Sequence, residues 1–174
     1  MPKRRVVITG MGIVSPVGNT ISDAWANLLN GKSGITRITR FDASALASQI
    51  AGEVKDFDIT QYIPVKEARR MDTFIHYGMA AAMQAVKDAG IEDVTNSGID
   101  ADRIGVNIGS GIGGLPMIEK TDAVYHKKGP RKISPFFIPS TIINMIAGNL
   151  SIKYNFRGPN LAIVTACTTA THCI

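Results

Sequence analysis

Residues 161–174 read LAIVTACTTATHCI, and this stretch decides the fold. Leu161 to Val164 is a short apolar run without polar alternation, the pattern of a strand buried on both faces. It passes directly into TACTTATHCI, where Thr165 stands near a cap position and a helix is expected to begin. A buried strand feeding a helix is the building unit of an α/β protein. The chain stops within the first two turns of that expected helix, so it reads as a fragment whose continuation is absent.

Two other runs have the same character. Arg4 to Thr9 (RRVVIT) is β-branched, stops at Gly10 and predicts a buried strand. Arg103 to Ile108 (RIGVNI) predicts another, running into GSGIGGL. Between them a helix is expected from Ser22 or Asp23, carrying Ala24, Trp25, Leu28 and Leu29 and ending at Gly31. The pattern from Phe41 to Pro64 is irregular, with short strands at most. From Lys66 to Ala89, apolar residues at three- and four-residue steps predict one long helix stopped by Gly90. Its small residues Ala80, Ala81, Ala82 and Ala85 would admit a close-lying backbone. Pro139 to Ile152 is apolar on nearly every side and predicts a helix buried in a core or interface. Strand, helix, strand, helix, strand gives an α/β protein with a largely parallel sheet.

Composition narrows the class. The 174 residues are 45% hydrophobic and 19% charged, a globular balance without low-complexity segments. The apolar stretch at the N-terminus is too short for a signal-peptide core or a membrane span. The two cysteines, Cys167 and Cys173, are neither a disulfide framework nor a C-x-x-C pair, which points to reduced thiols and a cytosolic protein. Net charge is +5, concentrated at Lys3, Arg4 and Arg5, at Lys66, Arg69 and Arg70, and at Lys127, Lys128, Arg131 and Lys132. Such clusters attract nucleic acid, anionic lipid or an acidic protein, or are simply a solvated face. No nucleic-acid-binding motif accompanies them.

Several motifs carry less than they promise. Gly10-Met11-Gly12 follows an expected strand, but Ser15 stands where a dinucleotide fingerprint needs its third glycine, so a tight turn explains these glycines. GSGIGG (109–114) lacks the Lys-Ser/Thr ending of a P-loop. Ile112 within it reads as a pocket-lining residue or, on spacing alone, as packed core. His76, His126 and His172 have no metal-ligand spacing with any carboxylate or cysteine, so neither a metal nor a cofactor is expected.

Cys167 is different. At a strand-to-helix turn, helix N-terminal amides favour an anion such as a thiolate. The residue's own N–H can serve as half of an oxyanion hole, and a sharp turn lifts the sulfur out of the sheet. The competing reading is a buried, inert free cysteine. Position alone leaves the two readings balanced. Cys173 faces elsewhere and reads as inert.

RRVVITGMGIVSPVGN, RKISPFFIPSTIINMIAGNLSI and GPNLAIVTACTTATH closely resemble bacterial β-ketoacyl-acyl-carrier-protein synthases. IGSGIGGL and KEARRMDTFIHYG are similar to the chain-elongating type rather than the priming type. The resemblance runs across the whole chain. It implies a thiolase-like fold, two α/β halves in αβαβα layers, with residues 1–174 forming the N-terminal half, and a homodimer. It also implies that Cys167 takes an acyl group from acyl carrier protein before decarboxylative condensation with a malonyl unit. By the same resemblance Ile112 lies at the bottom of the acyl pocket, and Phe137 and Ile138 cross the dimer interface into the partner's pocket. Lys66, Arg69, Arg70, Arg131 and Lys132 fall on the surface where the acidic carrier protein docks. The family's two catalytic histidines and lysine belong to the second half, and His172 replaces neither histidine. A chain-length-factor-like subunit without a nucleophile, or a polyketide ketosynthase, are the alternatives.

Overall fold

A computed structural model describes residues 4–174. Lys3, counted above in the first basic cluster, lies outside the described residues. The first helix, α1 (Ile21–Leu29), is capped by Thr20, whose hydroxyl accepts the Asp23 N–H at 3.2 Å and donates to the Asp23 carboxylate at 2.7 Å. The cap is therefore Thr20, not Ser22 or Asp23, because the capping oxygen must precede the amides it satisfies. β1 (Ile35–Arg37) and β2 (Ile50–Gly52) form a small antiparallel ribbon with Ile35 opposite Gly52.

The long helix expected over 66–89 is two helices, α2 (Val65–Ala68) and α3 (Thr73–Asp88). Asp72 breaks it: its backbone is extended, and its N–H donates to Ser140 O at 3.3 Å instead of continuing α2. Gly90 takes up φ +69 two residues after α3, as its role as a stop requires. The short α4 (Val94–Ser97) leads to β3 (Val106–Asn107).

α5 (Leu115–Lys128) has no counterpart among the expected elements. It buries none of its residues, so its sequence lacks a clean apolar stripe. Its terminal signals were nonetheless present: Pro116 in the first turn, His126, Lys127 and Lys128 in the last, and Gly129 beyond.

The single helix expected over 139–152 is likewise two, α6 (Phe137–Thr141) and α7 (Met145–Tyr154), separated where Ile142 becomes extended. α7 buries only Ile146, Ala147 and Leu150, so the uniform burial expected for this stretch is not found. β4 (Asn160–Leu161) pairs in parallel with β3, Val106 opposite Asn160, and α8 (Thr169–Cys173) closes the described chain.

The core lies between α3 and α7, where Ile75, Met79, Ile146, Ala147, Leu150 and Phe156 pack with Val106 of β3. The expected strand at Arg4–Thr9 is absent: the segment is unpaired and Val6 is 94% exposed. A β-run becomes a strand only against a neighbour, and among the described residues none lies alongside. The following residues dock on α3 instead. Met11 N–H donates to Asp88 at 2.9 Å and Ile13 N–H to Gln84 Oε1 at 3.3 Å. A side chain on Gly12 would collide with Ala81 O and come within 2.7 Å of Gln84 Cβ, so close approach to α3, rather than a tight turn, explains this glycine. The small residues of α3 do admit a backbone, as their spacing implied. The other two expected strands shorten to β3 and β4, keeping their parallel relation. Among the described residues no helix is long and apolar enough to cross a membrane.

Candidate active site

β3 and β4 deliver the chain to the site. Val106 N–H donates to Pro159 O at 2.8 Å and Ile108 N–H to Leu161 O at 3.3 Å, after which the chain leaves the sheet. Ala166 then adopts φ +50, a left-handed conformation uncommon for a residue with a Cβ. Strain of this kind persists only where the surroundings enforce it. Here threonines do so. Thr169 is buried; its hydroxyl accepts the Thr165 N–H at 3.0 Å and donates to Ala166 O at 2.8 Å. The Thr168 hydroxyl donates to Thr165 O at 2.8 Å. The Thr165 hydroxyl pairs with His172 Nδ1 at 2.7 Å. These contacts pin both ends of a tight 3-10 turn, Ala166–Thr168, and Cys167 stands at its middle with its residue exposed.

Cys167 is therefore not the buried cysteine of the alternative reading. Two details differ from expectation. Cys167 sits in the 3-10 turn before α8 rather than in the helix itself, and Thr165 does not cap α8 with its side chain. α8 has five residues, too few to sum a substantial macrodipole, so what the turn offers an anion is local amides. Among the described residues, no backbone hydrogen bond outside the helices and strands uses the Cys167 N–H.

The GSGIGG loop lies against this turn. A side chain on Gly109 would strike Ile163 O and Thr169, and one on Gly111 would stand 3.7 Å from Ala166 O. Ile112 projects from the loop 73% exposed, so it is not the packed core residue that spacing favoured. On the far side the loop is tied to α6, with Gly114 N–H donating to Thr141 O at 3.0 Å. α6 carries Phe137, half-buried, and Ile138, exposed. A continuous line of contacts thus joins the Cys167 turn, the Ile112 loop and the Phe137–Ile138 helix.

Lys66, Arg69, Arg70, Arg131 and Lys132 are all exposed. Arg69 and Lys132 line one cleft of about 250 Å³, together with Lys120 of α5 and the apolar Met117, Val124 and Ile133. The Arg70 guanidinium stacks 4.3 Å above the Phe136 ring. Lys66 and Arg131 do not line this cleft.

Residue-by-residue reading of the sequence missed Thr169, the bond of His172 to the cysteine turn, and Lys120. The threonine spacing in TACTTATH was the available signal for the first two. For Lys120 the terminal signals of α5 were the one clue, and the helix that carries it went unrecognised.

Residues 3–174 match the family described as Beta-ketoacyl synthase, N-terminal domain. The chain is 58% identical over 172 residues to the 3-oxoacyl-[acyl-carrier-protein] synthase 2 of Vibrio harveyi, covering 99% of this chain and 41% of that protein. It is 57% identical over 173 residues to the enzyme of the same name from Coxiella burnetii, again 99% of this chain and 41% of the relative. The chain thus spans about two fifths of the length of these relatives. Among solved structures, the ishigamide ketosynthase/chain length factor superposes with a TM-score of 0.76 at 27% identity, over 96% of this chain and 40% of that one. A beta-ketoacyl synthase from Burkholderia phymatum superposes with a TM-score of 0.76 at 24% identity, over 98% and 41% respectively. The strained cysteine turn, the loop beside it and the thiolase-like ketosynthase fold have one common account: the chain belongs to the beta-ketoacyl synthase family, whose N-terminal domain it matches.

Proposed function

We propose that residues 1–174 are the nucleophile-bearing N-terminal half of an elongating 3-oxoacyl-acyl-carrier-protein synthase, an acyltransferase of fatty-acid synthesis in the cytosol. The observation that carries this reading is the exposed Cys167 on the strained Ala166 turn, beside the Ile112 loop. In the proposed reaction the Cys167 sulfur attacks the thioester carbon of an acyl carrier protein. The new S–C bond replaces the bond to the carrier's thiol, which leaves with the proton that Cys167 gives up. A malonyl thioester then loses carbon dioxide, and the resulting carbanion bonds to the acyl carbon. The Cys167 S–C bond breaks and the thiolate regains a proton from solvent.

Ile112 closes the acyl pocket in this reading, and Phe137 and Ile138 reach a second copy of the chain in a homodimer. Lys66, Arg69, Arg70, Arg131 and Lys132 receive the acidic carrier protein. The resemblance assigns the remaining histidine, histidine and lysine groups to a second half, so residues 1–174 acting alone would not complete the condensation. Exposed apolar residues such as Val6, Ile8, Leu161 and Val164 support a reading in which further protein covers them.

The test is acylation of the full-length protein by an acyl carrier protein or a cysteine-directed acyl mimic, followed by peptide mass analysis. The acyl mass is expected on Cys167. Modification of Cys173 alone would overturn the assignment.

A further inference from the structure

Asp72 stands apart from the cysteine turn, yet among the described residues it is the one charged side chain that is buried, at 3% exposure. It occupies the N-cap of α3, where an aspartate ordinarily accepts an N–H from its own helix. It makes no such bond. Its Oδ2 instead accepts the N–H of Met117, in the first turn of α5, at 2.7 Å. Its own N–H donates to Ser140 O of α6 at 3.3 Å, and Oδ1 is buried with no partner among the described residues. Asp72 thus links three elements, its carboxylate reaching α5 instead of capping α3 and its backbone N–H reaching α6.

What it links is specific. The 110–114 turn runs directly into α5, so holding Met117 holds the turn that carries Ile112. Gly114 fills the space between Asp72 and α6: a Cβ there would lie 3.1 Å from Asp72 Oδ2, 3.1 Å from Ser140 O and 2.7 Å from Thr141 Cα. Ser140 and Thr141 belong to the helix that presents Phe137 and Ile138.

We infer that Asp72 is a positioning residue for acyl-chain recognition, fastening the Ile112 turn to the Phe137–Ile138 helix so that the two sides of the acyl pocket keep one spacing. This rests on the function proposed above. A group that served only to stabilise α3 would bond its own helix. Asp72 bonds the helix that follows the pocket turn.

Serine provides the discriminating substitution. In Asp72→Ser the hydroxyl is a good cap for α3, but it is too short to hold the Met117 amide. Asp72→Asn keeps an acceptor oxygen at the right reach. In the full-length enzyme, kcat/KM is measured with long and short acyl primers on carrier protein. Asp72→Ser is expected to lower the long-to-short ratio by about tenfold, the weight of one buried hydrogen bond to a charged group, mainly through KM. Asp72→Asn is expected to restore most of the ratio. An equal loss for both primers, or an asparagine variant that behaves as the serine one, would overturn the inference.

Amide hydrogen exchange in the unmodified protein gives a second test that needs no variant. The Met117 N–H is expected to be protected, although first-turn amides ordinarily exchange freely. Free exchange would also overturn the inference. Acylation of Cys167 read in the same samples separates the two claims. If the unmodified enzyme does not acylate there, the function fails; if it does and the primer ratio is unmoved, only the role of Asp72 fails.

Discussion

The Thr165 hydroxyl and the His172 ring meet at 2.7 Å, Oγ1 to Nδ1, and so bridge the turn that presents Cys167. Beneath this bridge lies the buried Thr169 hydroxyl, which engages the same turn twice. The outer bridge is exposed and the inner pair is part-buried, so they are not equivalent in energy. A solvent-exposed hydrogen bond contributes about 0.5–1 kcal/mol, whereas stranding a buried donor costs about 1–3 kcal/mol.

Thr169→Val should therefore slow acylation of Cys167 more than His172→Ala does. The valine keeps the shape but leaves the Thr165 N–H without its acceptor, and the Ala166 backbone is then free to relax from φ +50. A misplaced nucleophile loses about tenfold or more in rate, against a few-fold for the histidine variant. Single-turnover acylation of the full-length enzyme measures both, and a slower His172→Ala would reverse this ranking.

Ile112→Phe should narrow the range of acyl groups accepted. The side chain stands on a loop tied at one end to the Cys167 turn and at the other to α6, so the loop backbone cannot shift to absorb the added volume. Short primers should be retained and long ones lose about tenfold in kcat/KM. A primer-competition assay reports the change directly, and an unaltered preference would remove Ile112 from the pocket.

Lys120→Glu should weaken carrier-protein use together with Arg69→Glu and Lys132→Glu, since the three cations line one cleft. Each reversal is expected to raise the KM for carrier protein several-fold at low salt. The differences should fade as ionic strength rises past about 0.15 M, where exposed charges are screened beyond roughly 8 Å. An effect that does not respond to salt would place the contact elsewhere.

Gly12→Ala should destabilise the protein by about 1–3 kcal/mol, because the new methyl meets backbone of α3 that cannot give way. Chemical denaturation of the full-length protein should show a lower midpoint with an unchanged slope. Gly31→Ala is a useful contrast. Gly31 has open space around it but φ +65, so its cost comes from backbone conformation alone.

Much of the architecture could be read along the chain because its causes are local. The stop at Gly90, the helical periodicity of α3, the small residues on its docking face and the strand-to-helix passage into TACTTATH all depend on neighbours a few residues away. The breaks at Asp72 and Ile142 were not legible. The break at Asp72 turns on bonds to partners 45 and 68 positions along the chain, Met117 and Ser140, which periodicity cannot see. α5 escaped notice because it buries nothing, and a helix without an apolar stripe leaves only its terminal signals to find it by.

By itself the sequence determined that this is an α/β chain of the ketosynthase kind with one cysteine worth watching, since motif spacing and strand-to-helix order are written in residue types. Only the tertiary structure decided that Cys167 is exposed, that Ala166 is held left-handed by three threonines, and that Asp72 faces α5 rather than its own helix. It also left Arg4–Thr9 unpaired, where the sequence alone promised a buried strand. The reason is the same in each case: exposure, strain and pairing depend on which distant groups arrive alongside, and a strand or a carboxylate takes its role from the partner it meets.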